Sequence, residues 1–255
     1  MSARCFAPTD LEALLYDWHN EHRLIEQQAD VEYWLDRARY SEFTLVLGSG
    51  TGRIATPLAE HGTGYVLAID LSIGRLRRTA DVPRIARVCS DITRLSLRKK
   101  FDEIIVPYST FQLLPGNAGR QQTMQLAARL LSPSGTLHID VSSRFDERPP
   151  TGWRVVVTSH CDELGETVTE TERCIREADA LVIHKEFRLV SGELLYTCKE
   201  RWTYLSSIDF PALLEEAGLC VTGIDRGYGE GRSRHRHVIH SARQPQSARH
   251  GVLGR

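Results

Sequence analysis

The chain has no CxxC pair, no apolar run as long as a membrane span and almost no net charge. Each absence removes a class of protein. Its six cysteines (Cys5, Cys89, Cys161, Cys174, Cys198, Cys220) are scattered through 255 residues. A disulfide framework belongs to shorter secreted chains, and a structural zinc site needs closer ligand pairs. Free thiols in apolar or alternating runs behave as small core residues, so all six are expected to be reduced, in a cytoplasmic protein. No apolar stretch approaches the roughly 20 residues of a membrane helix. The opening segment, MSARCFAPTDLEALLYDW, shows no apolar core of a secretory signal. Lys plus Arg (32) balances Asp plus Glu (33), which argues against a generic binder of nucleic acid or anionic membrane. The balance hides an asymmetry: residues 226–255 hold seven Arg and one Glu, so the rest of the chain carries a net charge of −7. Internal repeats and low-complexity blocks are also missing.

What is present is alternation. Thr9 to Arg23 reads as a helix with Leu11, Leu14, Leu15 and Trp18 on one face, and Asp30 to Tyr40 as a second. Apolar strands follow at 44–47, 64–69, 84–89, 103–106 and 135–141, separated by helical segments, the last of them at 121–131. Continuous apolar strands between helices predict an α/β fold, a doubly wound and mostly parallel sheet covered on both faces. From Trp153 to about Tyr204 the period changes to two, which predicts an antiparallel β-meander of four strands inserted into that fold. A helix at 208–217 stopped by Gly218 and strands at 220–224 and 237–240 complete the pattern. The expected organisation is therefore N-terminal helices and α/β core (1–150), meander (151–205), remainder of the core (206–243) and a basic tail (244–255). The meander serves as a lid or as the surface of a homodimer.

The most informative stretch is TLVLGSGTGRIATPLAEHGTGYVLAID, residues 44–70. A buried strand enters Gly48-Ser49-Gly50-Thr51-Gly52, a helix follows, and the next strand ends in Asp70. Glycine supplies positive φ and lets a ligand approach the backbone, and amides opening a helix receive an anionic group. A carboxylate at the next strand end suits the hydroxyls of a ribose, so the pattern points to a nucleoside cofactor. A dinucleotide fingerprint needs GxGxxG, but Arg53 stands where its third glycine belongs.

The pattern instead resembles the class I S-adenosylmethionine-dependent methyltransferases, in particular small-molecule enzymes with a β-meander before the last helix. Asp70-Leu71-Ser72, Ser90-Asp91-Ile92, FDEIIVPYSTFQLLP and LSPSGTLHIDV carry the resemblance onward, and Leu213 to Val221 matches the closing helix and strand. It implies a Rossmann-like sheet with an antiparallel last strand and S-adenosyl-L-methionine as cofactor, leaving S-adenosyl-L-homocysteine. It implies that Gly48, Ser49, Gly50 and Gly52 border the cofactor, Asp70 holds its ribose and Leu71 meets the adenine. Asp91 and Ile92 would bind the adenine edge, and Pro107 and Tyr108 would lie beside the sulfonium. Tyr16-Asp17-Trp18-His19 resembles the segment that covers the cofactor. In one departure, Val46 occupies the position of the family's acid two places before the first motif glycine.

Methyl transfer needs alignment and exclusion of water rather than a metal or a covalent nucleophile. Tyr16 and Tyr108 are the candidate catalytic residues, and Trp18, Phe111, Gln112 and Arg144 the candidate substrate contacts. His19 and His22 read as solvated helix residues, with His19 as a subordinate candidate base. His235, His237 and His240 lie beside arginines without an acidic or Cys partner nearby in sequence, so no metal is expected. The expected function is transfer of methyl to N or O of a small-molecule substrate, without a membrane or nucleic-acid partner. Alternatives are a nucleic-acid methyltransferase, a nicotinamide-dependent oxidoreductase and a non-catalytic binding protein on the same scaffold. The first lacks an Asn/Asp-Pro-Pro-Tyr/Phe signature, having PYSTF in its place.

Overall fold

The computed structural model describes residues 7–23, 27–62, 64–147, 151–228 and 235–243. The expected basic tail, 244–255, lies outside the described residues, as does Cys5.

Two helices, α1 (Pro8–Arg23) and α2 (Gln27–Ala38), precede β1 (Phe43–Leu47), α3 (Ala55–His61), β2 (Tyr65–Asp70), α4 (Ile73–Arg78), β3 (Ile85–Cys89) and β4 (Phe101–Val106). Then come α5 (Thr110–Leu113), α6 (Gly116–Leu130) and β5 (Leu131–Ser142). The meander is β6 (Trp153–Cys161), β7 (Glu166–Arg176), β8 (Ala180–Leu189) and β9 (Leu194–Thr203). The chain closes with α7 (Phe210–Glu216), β10 (Leu219–Arg226) and β11 (Arg236–Arg243).

The main sheet has seven strands in the order β10-β11-β5-β4-β1-β2-β3. All ladders are parallel except those of β11, which runs antiparallel to both β5 and β10. Alternation along each strand sends side chains to opposite faces. Leu45, Leu47, Ile104 and Val106 pack with Phe111, Met124 and Leu213 on one side. Val46, Ile105 and Ala68 pack with Trp34, Ile54 and Leu58 on the other. Val46 is thus a fully buried core residue under α2 and α3.

The meander forms a second, wholly antiparallel sheet in the order β6-β7-β8-β9. It is tied down through α1, whose apolar stripe of Leu11, Leu14, Leu15 and Trp18 buries against Cys161, Leu164, Val168 and Phe187. Trp18 Nε1 donates to the His160 carbonyl at 3.1 Å, and Arg78 bridges Asp17 of α1 to Glu163 of the β6–β7 turn. The second sheet is therefore a roof over the main sheet.

Two local expectations are corrected. The helix expected from residue 121 starts at Gly116, and a further short helix, α5, precedes it. The Gly-Asn-Ala-Gly run has weak helical propensity, yet Arg120 is buried and bonded to the Leu114 carbonyl, Asn117 Oδ1 and Thr203 Oγ1. Tertiary bonding overrides local preference there. The five cysteines described are free, with Cys89 exposed and Cys161 buried.

Candidate active site

A cavity of about 990 Å³ lies between the carboxyl ends of the central strands and the inner face of the roof. Its floor is the turn after β1. Gly48, Gly50 and Gly52 all have positive φ, at 79°, 58° and 91°. Their Cα hydrogens face different things. A Cβ at Gly48 would lie 2.4 Å from Thr110 Cγ2 and one at Gly52 would lie 2.6 Å from Thr79 Cγ2, so those two positions are crowded by the protein itself. A Cβ at Gly50 would meet only the Tyr16 ring, with its hydroxyl at 3.2 Å. Gly48 and Gly50 line the cavity; Ser49, Gly52 and Pro107 do not.

Four of the turn's amides are bonded within the fold. Gly48 N and Ser49 N both donate to the Ile69 carbonyl at 2.8 Å, and Gly52 N donates to the Ser49 carbonyl at 3.1 Å. Gly50 N donates to Asp70 Oδ2 at 2.8 Å, and Ser72 N to Asp70 Oδ1 at 2.9 Å. Asp70 is buried and lines the cavity, and a carboxylate oxygen that accepts one hydrogen bond can accept a second. Beyond it stand Leu71, 75% exposed, and then Asp91 and Ile92. Asp91 Oδ1 accepts from Thr93 N and Oγ1, both at 2.8 Å, and those bonds hold its carboxyl below the usual range.

The opposite wall is a charged network at the end of β4. Tyr108 and Ser109 adopt left-handed φ values of 51° and 60°, a strained conformation for residues with a Cβ. Asp140, fully buried at the end of β5, holds them: its Oδ2 accepts from Tyr108 N at 2.8 Å and from Tyr228 Oη at 2.5 Å. Arg236 donates to Ser109 Oγ at 2.7 Å and to Asp140 Oδ1 at 3.3 Å. Burial works against the Arg236 charge, yet Asp140 holds the guanidinium above its ordinary pKa. The Tyr108 ring lies between two guanidinium groups, Arg236 at 4.4 Å and Arg53 at 5.3 Å. Arg53 donates to Asp30 of α2 at 2.6 Å, and burial raises the Asp30 carboxyl against that pairing.

Tyr16 lines the cavity with the Arg75 guanidinium 3.9 Å from its ring centre, and Arg75 is itself paired with Glu12 at 2.6 Å. Arg144, the other candidate on this side, lines the cavity. Trp18, Phe111 and Gln112 do not. Trp18 belongs to the core between α1 and the roof. Phe111 stacks on Phe210 at 5.4 Å. Gln112 Nε2 donates to the Ser142 and Thr203 carbonyls at 3.1 and 2.9 Å, and its Oε1 accepts from Ser142 N at 2.7 Å. Phe111 and Gln112 belong to α5, the short helix that begins two residues after Tyr108, and both are buried there.

The roof contributes charged pairs among apolar side chains such as Leu181, Phe187 and Trp202. Glu172 pairs with Arg154, Lys185 with Glu200 at 2.9 Å, and Glu170 with His19 Nδ1 at 2.5 Å. His19 is therefore not the solvated helix residue its sequence context suggests. Asp30, Tyr228 and the roof's carboxylates escaped sequence reasoning altogether. Arg53 stood out only as a misplaced glycine, and Arg236 was absorbed into the basic end of the chain. Among the described residues, no three His, Cys, Asp or Glu side chains are placed to hold a metal ion, and no helix is long and apolar enough to cross a membrane.

Residues 45–135 match the family model described as a methyltransferase domain. No curated protein matches the chain. Several solved structures share its fold. An S-adenosylmethionine-dependent methyltransferase from Clostridium acetobutylicum superposes with a TM-score of 0.73 at 16% identity, covering 91% of this chain and 98% of that one. The CcbJ methyltransferase from Streptomyces caelestis gives 0.71 at 20% identity, covering 86% and 90%. The sugar N-methyltransferase KedS8 from Streptoalloteichus gives 0.70 at 18% identity, covering 91% and 92%. Residues 45–135 thus match a methyltransferase domain by sequence, and the chain shares its fold with solved S-adenosylmethionine-dependent methyltransferases.

Proposed function

We propose that the cavity binds S-adenosylmethionine and that the chain transfers its methyl group to N or O of a small-molecule acceptor. The observation that carries this reading is the Gly50–Asp70 bond at the cavity floor, with Leu71, Asp91 and Ile92 continuing one wall. Asp70 would take the ribose hydroxyls on its unused lone pairs, and Leu71 and Ile92 would enclose the adenine, with Asp91 at its amino edge. When bound, the cofactor supplies an electrophilic methyl on a cationic sulfur. The aromatic rings of Tyr16 and Tyr108 at the same cavity suit that cation. The carboxylate the family carries at position 46 is replaced by a core valine, but Asp30 brings a buried carboxylate to this cavity from α2. The volume is at the upper end for small-molecule sites, enough for a cofactor and an acceptor side by side. A roof closed by α1 favours an acceptor small enough to be enclosed, and KedS8, which shares the fold, is a sugar N-methyltransferase.

Thermal shift separates this from the nicotinamide alternative. S-adenosylmethionine or S-adenosylhomocysteine at 100 times Kd is expected to add about 2.7 kcal/mol of stability, a few degrees for a chain of this size. NAD and NADP are expected to add nothing. A shift with the nicotinamide cofactors alone contradicts the proposal.

A further inference from the structure

The inner face of the roof carries charged side chains among its apolar ones: Glu172, Lys185 and Glu200 line the cavity beside Leu181, Phe187 and Trp202. Along β7, Glu170 and Glu172 point inward and are almost completely buried. Buried carboxylates are costly unless paired. Glu172 is paired with Arg154, and Glu200 of the neighbouring β9 with Lys185 of β8. Among the described residues Glu170 has no ion pair to an Arg or Lys of its own, although the Lys185 ammonium lies close enough to feel its charge. Its Oε2 meets His19 Nδ1 at 2.5 Å, and its Oε1 has no partner among the described residues. His19 is thus the direct side-chain partner of the Glu170 carboxylate among the described residues.

His19 lines the cavity, so with Nδ1 committed to Glu170 its Nε2 is the nitrogen left for a ligand. It lies one helical turn beyond Tyr16, whose hydroxyl reaches the glycine turn. The imidazole therefore sits between the cofactor floor and the roof. We propose that His19, oriented by Glu170, accepts the proton of the methyl acceptor, and that this acceptor is an amine received as its ammonium ion. The inference rests on the methyltransferase reading above.

An alkylammonium has no lone pair and titrates near pH 10, so at neutral pH it needs a base before it can attack. His19 Nε2 takes one N–H proton. The freed nitrogen lone pair forms the N–C bond to the methyl as the C–S bond breaks, and that bond's electrons stay on sulfur, which leaves as a neutral thioether. The imidazolium is stabilised by the Glu170 carboxylate and returns its proton to water when product departs. Glu170 is a positioning residue; His19 is the catalytic one. The titratable groups around the pair include Glu12 and Tyr16 on α1, Lys185 on β8, and Cys198 and Glu200 on β9.

The test uses the full chain, S-adenosylmethionine tritiated in its methyl group, and a panel of alkylamines and amino sugars beside their parent alcohols and sugars. Label is expected to pass to amines and not to the hydroxyl counterparts. His19→Asn is expected to lower kcat at pH 7 by roughly 100-fold or more, with the KM for S-adenosylmethionine unchanged. Its rate is expected to recover toward pH 10, where the amine deprotonates unaided. Glu170→Gln is expected to show a smaller loss with the same recovery. His19→Gln, a second variant, guards against a folding defect in the first. Transfer to alcohols alone or to no acceptor overturns the proposal. So does a kcat in both His19 variants within threefold of wild type, or a loss that high pH does not restore. Failure of S-adenosylhomocysteine to bind wild type by calorimetry sinks the cofactor reading instead, which keeps the two failures apart.

Discussion

The amide of Gly50 donates to the carboxylate of Asp70 at 2.8 Å, tying the turn after β1 to the end of β2. One side chain thus shapes the floor and offers acceptors to the cavity. Asp70→Ala leaves the Gly50 and Ser72 amides without their acceptor, a loss of about 1–3 kcal/mol in stability. Calorimetry is expected to find S-adenosylhomocysteine bound at least tenfold more weakly by this variant.

The three turn glycines are predicted to separate into two kinds. Gly52→Ala forces a Cβ to 2.6 Å from Thr79 Cγ2 at a φ of 91°, so the fold suffers, by about 2 kcal/mol or more. Gly50→Ala costs about 1 kcal/mol in backbone strain, and its new methyl faces Tyr16 in the cavity. Denaturant melts should rank Gly52→Ala as the less stable, while calorimetry should show the larger loss of affinity per unit of stability in Gly50→Ala.

Gln112 is predicted to matter to the fold and not to ligand contact. Gln112→Leu removes the partners of the Ser142 amide and of two buried carbonyls, with an expected cost of about 2–4 kcal/mol. Affinity for S-adenosylhomocysteine in the folded fraction should stay within about threefold of wild type. A stable variant with impaired binding would contradict this placement.

The attachment of the roof is predicted to weaken in acid. The hydrogen bond from Arg78 holds the Glu163 carboxyl below its ordinary value. A depressed folded-state pKa gives stability that is complete above the unfolded value, near 4.3, and disappears as pH falls through the folded one. The pair is half exposed and screened, so its worth is under about 1 kcal/mol. The difference in Tm between wild type and Glu163→Gln should be constant from pH 7 to 5 and close below pH 4.

The parallel sheet, the meander and the cavity wall from Gly50 to Asp70 were legible because each has a local signature: apolar runs, period-two alternation, glycines before a helix and an acid at a strand end. The other wall was not. Arg236 meets Tyr108 and Asp140 only because β11 lies beside β5, a pairing between residues about 100 positions apart. Asp30 reaches Arg53 because α2 packs on α3, and no spacing announces that. Trp18, Phe111 and Gln112 had the residue types of a substrate wall, but α5 and the roof's own core claimed them. His19 read as a surface residue because its partner, Glu170, is 151 residues away on the meander.

The structure of the complex with S-adenosylhomocysteine tests the central claim most directly. The account predicts both ribose hydroxyls within about 3 Å of the Asp70 oxygens, the adenine between Leu71 and Ile92, and the sulfur facing Tyr108 and Tyr16. A nucleoside bound elsewhere, or seated in the cavity with its ribose away from Asp70, would contradict it.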